Sequence, residues 1–279
     1  MNGIPVLHVE ADSIGRGWEE SLLALYREGA MVRTQYDREG DPPSRDCTMI
    51  LTIGDPLTEP MIHRDFPGGP VELQEYVMEV CEGIKDHLVR DPDDPEDTRW
   101  DYTYHQRLFA YATPAGGPFD QIEAMCRSLA EVSYSRRAQA ITWQVGADND
   151  CFDPPCLQSL WCRITEGEGG RQLSMNARFR SNDAYRAAFM NIFALVWLQK
   201  LMADRIGRMT GEPLGVGRYC HMADSYHIYG SNIREFETRF LGALEKRTFA
   251  ERTMRYDEVR EMMEEARPDI LAKAARMGR

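Results

Sequence analysis

Residues 153–183 read DPPCLQSLWCRITEGEGGRQLSMNARFRSND. A cysteine behind two prolines, Pro154-Pro155-Cys156, opens the stretch, and Arg180-Ser181-Asn182-Asp183 closes it. Between them, residues 157–165 and 172–180 alternate apolar and polar, the two-residue period of strands. Residues 166–170 are rich in glycine and charge, so the pair reads as a β-hairpin. Such a hairpin sets Cys156 at the mouth of one strand and Arg180 at the end of the next. A thiol and a guanidinium then share one pocket.

Working outward, residues 1–12 read as an opening strand. Residues 14–29 carry Trp18, Leu22, Leu23 and Leu25 at helical spacing. Residues 47–53 read as a strand between two proline-bearing loops, 38–45 and 60–70. Residues 71–89 and 122–132 read as helices, 91–97 as an acidic turn and 138–145 as a strand. The longest periodic segment, 183–209, is expected to be the central buried helix. Residues 218–229 read as a strand, and 233–247 and 256–277 as charged amphipathic helices. Strands mixed with segregated helices predict an α+β fold around one sheet. We expect a single domain over 1–279, with a core of 10–235 and a helical extension of 236–279.

The composition excludes several classes. The 279 residues suffice for a full core, and 43% are hydrophobic, as in a globular protein. A net charge of −12 argues against a general nucleic-acid surface. No apolar run is long enough to span a bilayer, so no membrane partner is expected. The N-terminus shows no secretory pattern. The seven cysteines lack disulfide or zinc spacing and are read as reduced thiols in a cytoplasm.

Four groups of residues carry chemistry. A nucleophilic Cys156 needs nearby cations to lower its pKa; the competing reading is a small buried apolar residue. Arg45, Ser135-Arg136-Arg137 and Arg180-Ser181 lie at strand ends, where arginine forks and serine hydroxyls suit a phosphate; they equally suit surface ion pairs. Ser225, His227 and Tyr229 point to one strand face, fit for sugar hydroxyls or for backbone partners in a core. A metal site lacks a third ligand, so no metal is expected. Asn191 is one polar residue in an apolar helix and must find partners, a base edge or a loop. Glu79, Glu82, Trp100, Tyr102 and Tyr104 are further pocket candidates.

This ordered set resembles the thymidylate synthase family, which includes pyrimidine-nucleotide hydroxymethylases. The similarity is strongest over 134–229. Pro154-Pro155-Cys156 resembles the family's nucleophile motif, and Ser135-Arg136-Arg137 with Trp143 its double-arginine strand. Arg180-Ser181-Asn182-Asp183 resembles its Arg-Ser-x-Asp, with Asn191 eight residues on. Asp224-Ser225-Tyr226-His227-Ile228-Tyr229 resembles its Asp-Ala-His-x-Tyr block with one extra residue. The resemblance implies one large mixed sheet flanked by helices, in a sheet-packed homodimer with shared active sites.

It also implies roles. Cys156 adds to C6 of a pyrimidine nucleoside monophosphate, and C5 then takes the one-carbon unit of 5,10-methylenetetrahydrofolate. Arg45, Arg180, Ser181 and, across the dimer, Arg136 and Arg137 hold the 5′-phosphate and favour the thiolate. Ala177, Asn191, His227 and Tyr229 bind base and sugar, and Asp183 and Trp100 the folate. Glu79 handles protons, and Tyr102 or Tyr104 matches the family's active-site tyrosine.

The departures point away from reductive methylation. Leu157 stands where thymidylate synthases carry His, Phe179 where they carry Gln, and Ala187 where they carry Gly. The chain ends in a charged segment, 268–279, without the apolar tail that closes over folate in thymidylate synthases. A site open to water traps the methylene as a hydroxymethyl group. The sequence therefore predicts hydroxymethylation of CMP or dCMP. Methylation of dUMP and a catalytically silent nucleotide binder are the alternatives, ahead of a cysteine hydrolase. Asn191 leaves the base open, because an amide presents either its oxygen or its nitrogen.

Overall fold

The computed structural model describes residues 3–278 except 92, 93, 95, 114, 115 and 168. The expected acidic turn at 91–97 therefore lies partly outside the described residues.

In chain order the elements are β1 (Val6–Ala11), α1 (Ile14–Glu28), β2 (Ala30–Val32), β3 (Ser44–Ile53), β4 (Ile62–His63) and α2 (Pro70–Glu82). There follow α3 (Tyr104–Phe109), β5 (Tyr111–Ala112), β6 (Pro118–Phe119), α4 (Gln121–Glu131), β7 (Gln139–Ile141) and α5 (Val145–Asp148). The hairpin is β8 (Leu157–Gly167) and β9 (Gly170–Phe179), then come β10 (Asn182–Asp183), α6 (Ala188–Thr210) and β11 (Gly215–Ile228). The main sheet runs β1-β3-β11-β9-β8-β7, with β2 on β3 and β10 on β11. β1–β3 and β11–β9 are parallel, whereas β3–β11, β9–β8 and β8–β7 are antiparallel. The fold is α+β with one large mixed sheet flanked by helices, as expected.

Local chemistry accounts for the helices that frame the site. Ser13 caps α1 by accepting from the Arg16 N–H at 3.4 Å, and Ile14, Trp18, Leu22 and Leu25 fall on one buried face. Proline opens α2, the Gly69 N–H donates to Glu72 at 3.0 Å, and Gly83 ends the helix at φ 68°. This left-handed residue stops the helix expected to reach 89. Only one further turn, Asp86–Leu88, follows. α6 is the central buried helix, packed on α2 and α4 and against β9 and β11. It starts five residues later than expected, because Asp183 belongs to β10. The strand predicted at 138–145 is confined to β7, and Val145 opens α5 instead.

The residues beyond 235 join the same core. Phe236 and Phe240 are fully buried, and Met263 and Ile270 nearly so. Arg252 forks onto Glu19 of α1 at 2.8 and 2.9 Å. The helix expected over 256–277 divides at Ala266, just before Pro268. Among the described residues no helix is long and apolar enough to cross a membrane.

Candidate active site

Two bulges shape the site. β8 carries one extra residue against β9 between Leu157 and Ser159, directly after Cys156. β11 carries one extra residue against β3 between Ala223 and Tyr226. The second bulge absorbs the inserted residue seen in the sequence motif, so Ser225, His227 and Tyr229 all reach one cavity wall.

The cleft has two lobes, of about 600 and 570 Å3, which meet at Asp153, Cys156, Ser181, His227 and Tyr229. Glu79, Trp100, Tyr104, Asp183 and Asn191 line the first lobe. Arg180, Arg33 and Asp46 line the second. The structure thus brings Cys156, Glu79, Tyr104, Asn191, Arg180, Ser181, His227, Tyr229, Asp183 and Trp100 to one cleft. Six expected residues lie outside it. Glu82 pairs with Arg267 at 2.9 Å on another face of α2, and Ser135 accepts from the Arg137 N–H at 3.2 Å in the loop before β7. Arg45 turns away, donating to the Gly29 carbonyl at 3.2 Å and lying over the Tyr26 ring. Strand alternation gives its place on the cleft wall to Asp46. Arg136 and Arg137 are exposed in the loop before β7. Ala177 is wholly buried within β9.

Cys156 is half-buried. Burial pushes its thiol above the ordinary cysteine value; Arg180 pulls it back and Asp153 pushes it up, and burial wins. The expected cationic activation is therefore incomplete in the single chain. Arg180 instead donates to the carbonyls of Pro155 and Pro154, at 3.1 and 2.5 Å, and its N–H donates to the Cys156 carbonyl at 2.8 Å. The fork fixes the turn that aims the thiol. The Tyr104 hydroxyl accepts from the Leu157 N–H at 3.2 Å and holds the other side of that turn.

On the opposite wall, Ser225 Oγ donates to Asp46 Oδ2 at 2.8 Å and lies 3.2 Å from His227 Nδ1. Burial lowers His227 to about 4, so its ring is neutral at pH 7. Burial raises Asp46 to about 6 and Asp183 to about 6, although Asp183 accepts backbone N–H bonds from Arg186 and Tyr185. Burial also lifts Tyr229 to about 12. Glu79 is ion-paired to Lys85 at 2.8 Å.

Sequence reasoning missed Tyr76, Asp46 and Asp153. Tyr76 was readable as a residue one helical turn before Glu79, on the same face. Asp153 was readable from its place just before the two prolines. Asp46 had no local signal. Among the described residues no group of three His, Cys, Asp or Glu side chains is placed to hold a metal ion.

Comparison with known proteins identifies the family. The thymidylate synthase family profile matches residues 84–269. A Methanopyrus kandleri protein provisionally named a thymidylate synthase is 32% identical over 228 residues, 81% of this chain and 95% of that one. A similarly named Methanocaldococcus jannaschii protein is 29% identical over 80% of this chain and 91% of its own length. The solved thermostable thymidylate synthase A of Bacillus subtilis aligns with a TM-score of 0.59 at 17% identity, covering 82% of this chain and 84% of that one, which shows the shared fold. The chain belongs to the thymidylate synthase family of one-carbon transferases, whose members carry out folate-dependent one-carbon transfer to pyrimidine C5.

Proposed function

We propose that this cleft transfers a one-carbon unit from 5,10-methylenetetrahydrofolate to C5 of a pyrimidine nucleoside 5′-monophosphate, and that the product is hydroxymethyl-CMP or hydroxymethyl-dCMP. The observation that carries the reading is the position of Cys156, at the junction of two chemically different lobes. The second lobe offers Arg180, Arg33 and Ser181 to a phosphate, and the His227–Tyr229 wall to a sugar. The first lobe offers Trp100 and Tyr102 as flat apolar faces and the Asp183 carboxyl as a hydrogen-bond partner. That set fits a bicyclic heteroaromatic ring with N–H donors. Trp100 and Asp183 would hold the folate, which supplies carbon at the oxidation level of formaldehyde. In a dimer, Arg136 and Arg137 of each chain would complete the partner's phosphate site.

The chain's own groups account for the steps on the nucleotide. The Cys156 thiolate bonds to C6, and the electron pair of the C5–C6 double bond moves to C5, making it nucleophilic. Asn191 holds the base edge, where that charge develops. Once the new C–C bond has formed, the C5 proton leaves, with Glu79 as the proton-handling group. The electron pair left at C5 forms the exocyclic double bond as the carbon–nitrogen bond to the folate breaks and tetrahydrofolate departs. Water adds to the exocyclic carbon, and loss of the thiolate restores the ring. The hydroxymethyl outcome is supported by the two residues that flank the thiol turn. Leu157 and Phe179 are wholly buried and pair across β8 and β9. Neither can donate or accept a proton where thymidylate synthases carry His and Gln.

The test is a product mass. The protein is incubated with methylenetetrahydrofolate and each of CMP, dCMP, UMP and dUMP. Gain of CH2O on a cytosine nucleotide is expected. Gain of CH2 on dUMP, with dihydrofolate formed, would make the enzyme a thymidylate synthase, as its archaeal relatives are provisionally named. No gain on any of the four would favour a silent nucleotide binder.

A further inference from the structure

Two buried side-chain atoms of the second lobe, Asp46 Oδ1 and His227 Nε2, have no hydrogen-bond partner among the described residues. Asp46 is 7% exposed and His227 4%, and both line that lobe. The two residues sit directly opposite each other on the antiparallel pair β3–β11. They therefore share one face of the sheet, with Cβ atoms about 5 Å apart. Ser225, within the β11 bulge, bridges them: its Oγ lies 2.8 Å from Asp46 Oδ2 and 3.2 Å from His227 Nδ1.

The bridge fixes the direction of its own hydrogen bonds. A serine hydroxyl carries one proton, and Ser225 gives it to Asp46. The contact to His227 then needs a proton on Nδ1. A neutral imidazole has one N–H, so Nε2 is left as a bare acceptor. The reverse order, with Ser225 donating to Nδ1, would deprive the buried Asp46 carboxylate of its hydroxyl donor. The Cys47 N–H helps that carboxylate electrostatically, yet no donor meets Oδ1 in hydrogen-bond geometry. The wall thus offers a ligand two neighbouring acceptors, and leaving a buried acceptor unmet costs binding energy. A carboxylate repels a phosphate, so in a lobe that takes one it serves the uncharged donors of the ligand. A ribonucleoside 5′-monophosphate brings two free hydroxyls, on adjacent carbons and on one side of the ring. Its 2′-deoxy counterpart brings one. The count holds whichever hydroxyl meets which acceptor.

We infer that Asp46 is a specificity-determining residue that, together with His227, receives the vicinal diol of a ribose, and that the cleft selects ribonucleoside over 2′-deoxyribonucleoside monophosphates. This deepens the proposed function and rests on the nucleotide reading of the cleft. It also gives the inward-facing carboxylate, which suits neither the phosphate nor the thiolate, a use.

The experiment is calorimetric titration of CMP, dCMP and 2′-fluoro-2′-deoxy-CMP, and of the matching uracil set, into the wild-type protein and into Asp46→Ala. Fluorine replaces the 2′-hydroxyl with a group that cannot donate. The wild type is expected to prefer the ribonucleotide to the deoxynucleotide by about tenfold or more, and to bind the fluoro analogue within about threefold of the deoxynucleotide. Asp46→Ala is expected to bring the ribose preference to within about threefold. A wild type that binds the deoxynucleotide or the fluoro analogue as tightly as the ribonucleotide would overturn the inference, and so would an alanine variant that keeps the full preference. The fluoro arm uses the wild type alone, so it decides the matter should the variant fail to fold. Failure of every nucleotide to bind the wild type is a different result; it would remove the nucleotide reading itself.

Discussion

Arg180 donates to the Pro154 carbonyl at 2.5 Å, so the guanidinium nearest the thiol spends one arm on the backbone that aims it. A second arm reaches the Pro155 carbonyl. The residue is thus a brace for the Pro-Pro-Cys turn, with its remaining N–H groups free to meet a phosphate. Lysine keeps the charge but lacks the planar fork. Arg180→Lys is therefore expected to lower kcat/KM about a hundredfold or more, the scale of a misplaced catalytic group. Steady-state kinetics beside circular dichroism would check this. Near-wild-type efficiency would show that charge alone is what the site requires.

The thiol itself should titrate late. Burial raises Cys156 above the ordinary value, with Arg180 lowering it and Asp153 raising it. Iodoacetamide labelling of Cys156, followed by peptide mass, should stay slow at pH 7 and still be rising at pH 9. Arg180→Ala should move the profile to higher pH, and Asp153→Asn to lower pH. A free-enzyme profile with its midpoint below 7 would show that the single chain already stabilises the thiolate.

Glu79 belongs to a relay of ion pairs. Lys85 lies 2.8 Å from Glu79 and 2.8 Å from Glu75, and Lys273 of the last helix lies 2.7 Å from Glu75. Lys85→Met would leave two carboxylates one turn apart on α2 without their shared cation. Turnover is expected to fall about tenfold to a hundredfold, while the nucleotide dissociation constant changes less than about threefold. Lys85→Arg should restore part of the rate. An equal loss in binding and turnover would instead indicate a collapsed cleft wall.

What the sequence disclosed follows from the range of each signal. Alternation in 157–165 and 172–180 marked the hairpin, because period two is a local property of a strand. The Pro-Pro-Cys and Arg-Ser-x-Asp motifs marked the cleft, because each is contiguous. Arg45 was read as a phosphate ligand from its place at a strand end. Which of Arg45 and Asp46 faces inward depends on β3 pairing with β11, a contact across some 180 residues. The helix that stops at Gly83 required one glycine to adopt φ 68°, which composition leaves undetermined. The Arg252–Glu19 pair was illegible for the same reason as Asp46: its partners are far apart in the chain.

That pair yields the last prediction, on stability. Glu19 is buried at the centre of α1, where Arg252 reaches it at 2.8 and 2.9 Å and His63 Nε2 lies 3.0 Å away. Burial alone would raise the Glu19 carboxyl, but the bonds from His63 and Arg252 outweigh burial and hold it at about 2. A depressed carboxyl stabilises the fold fully above its unfolded value, near 4.5, and this contribution fades as pH falls through about 2. Arg252→Met removes one of the two partners that supply that compensation and leaves a core carboxylate with His63 alone. At pH 7 it should cost about 3–5 kcal/mol, read from denaturant unfolding. The gap to wild type should narrow at pH 3.5, where the variant's carboxyl takes up a proton more readily than the wild type's. A gap that is the same at both values would assign the loss to packing of the Arg252 side chain, and would remove Glu19 from the account.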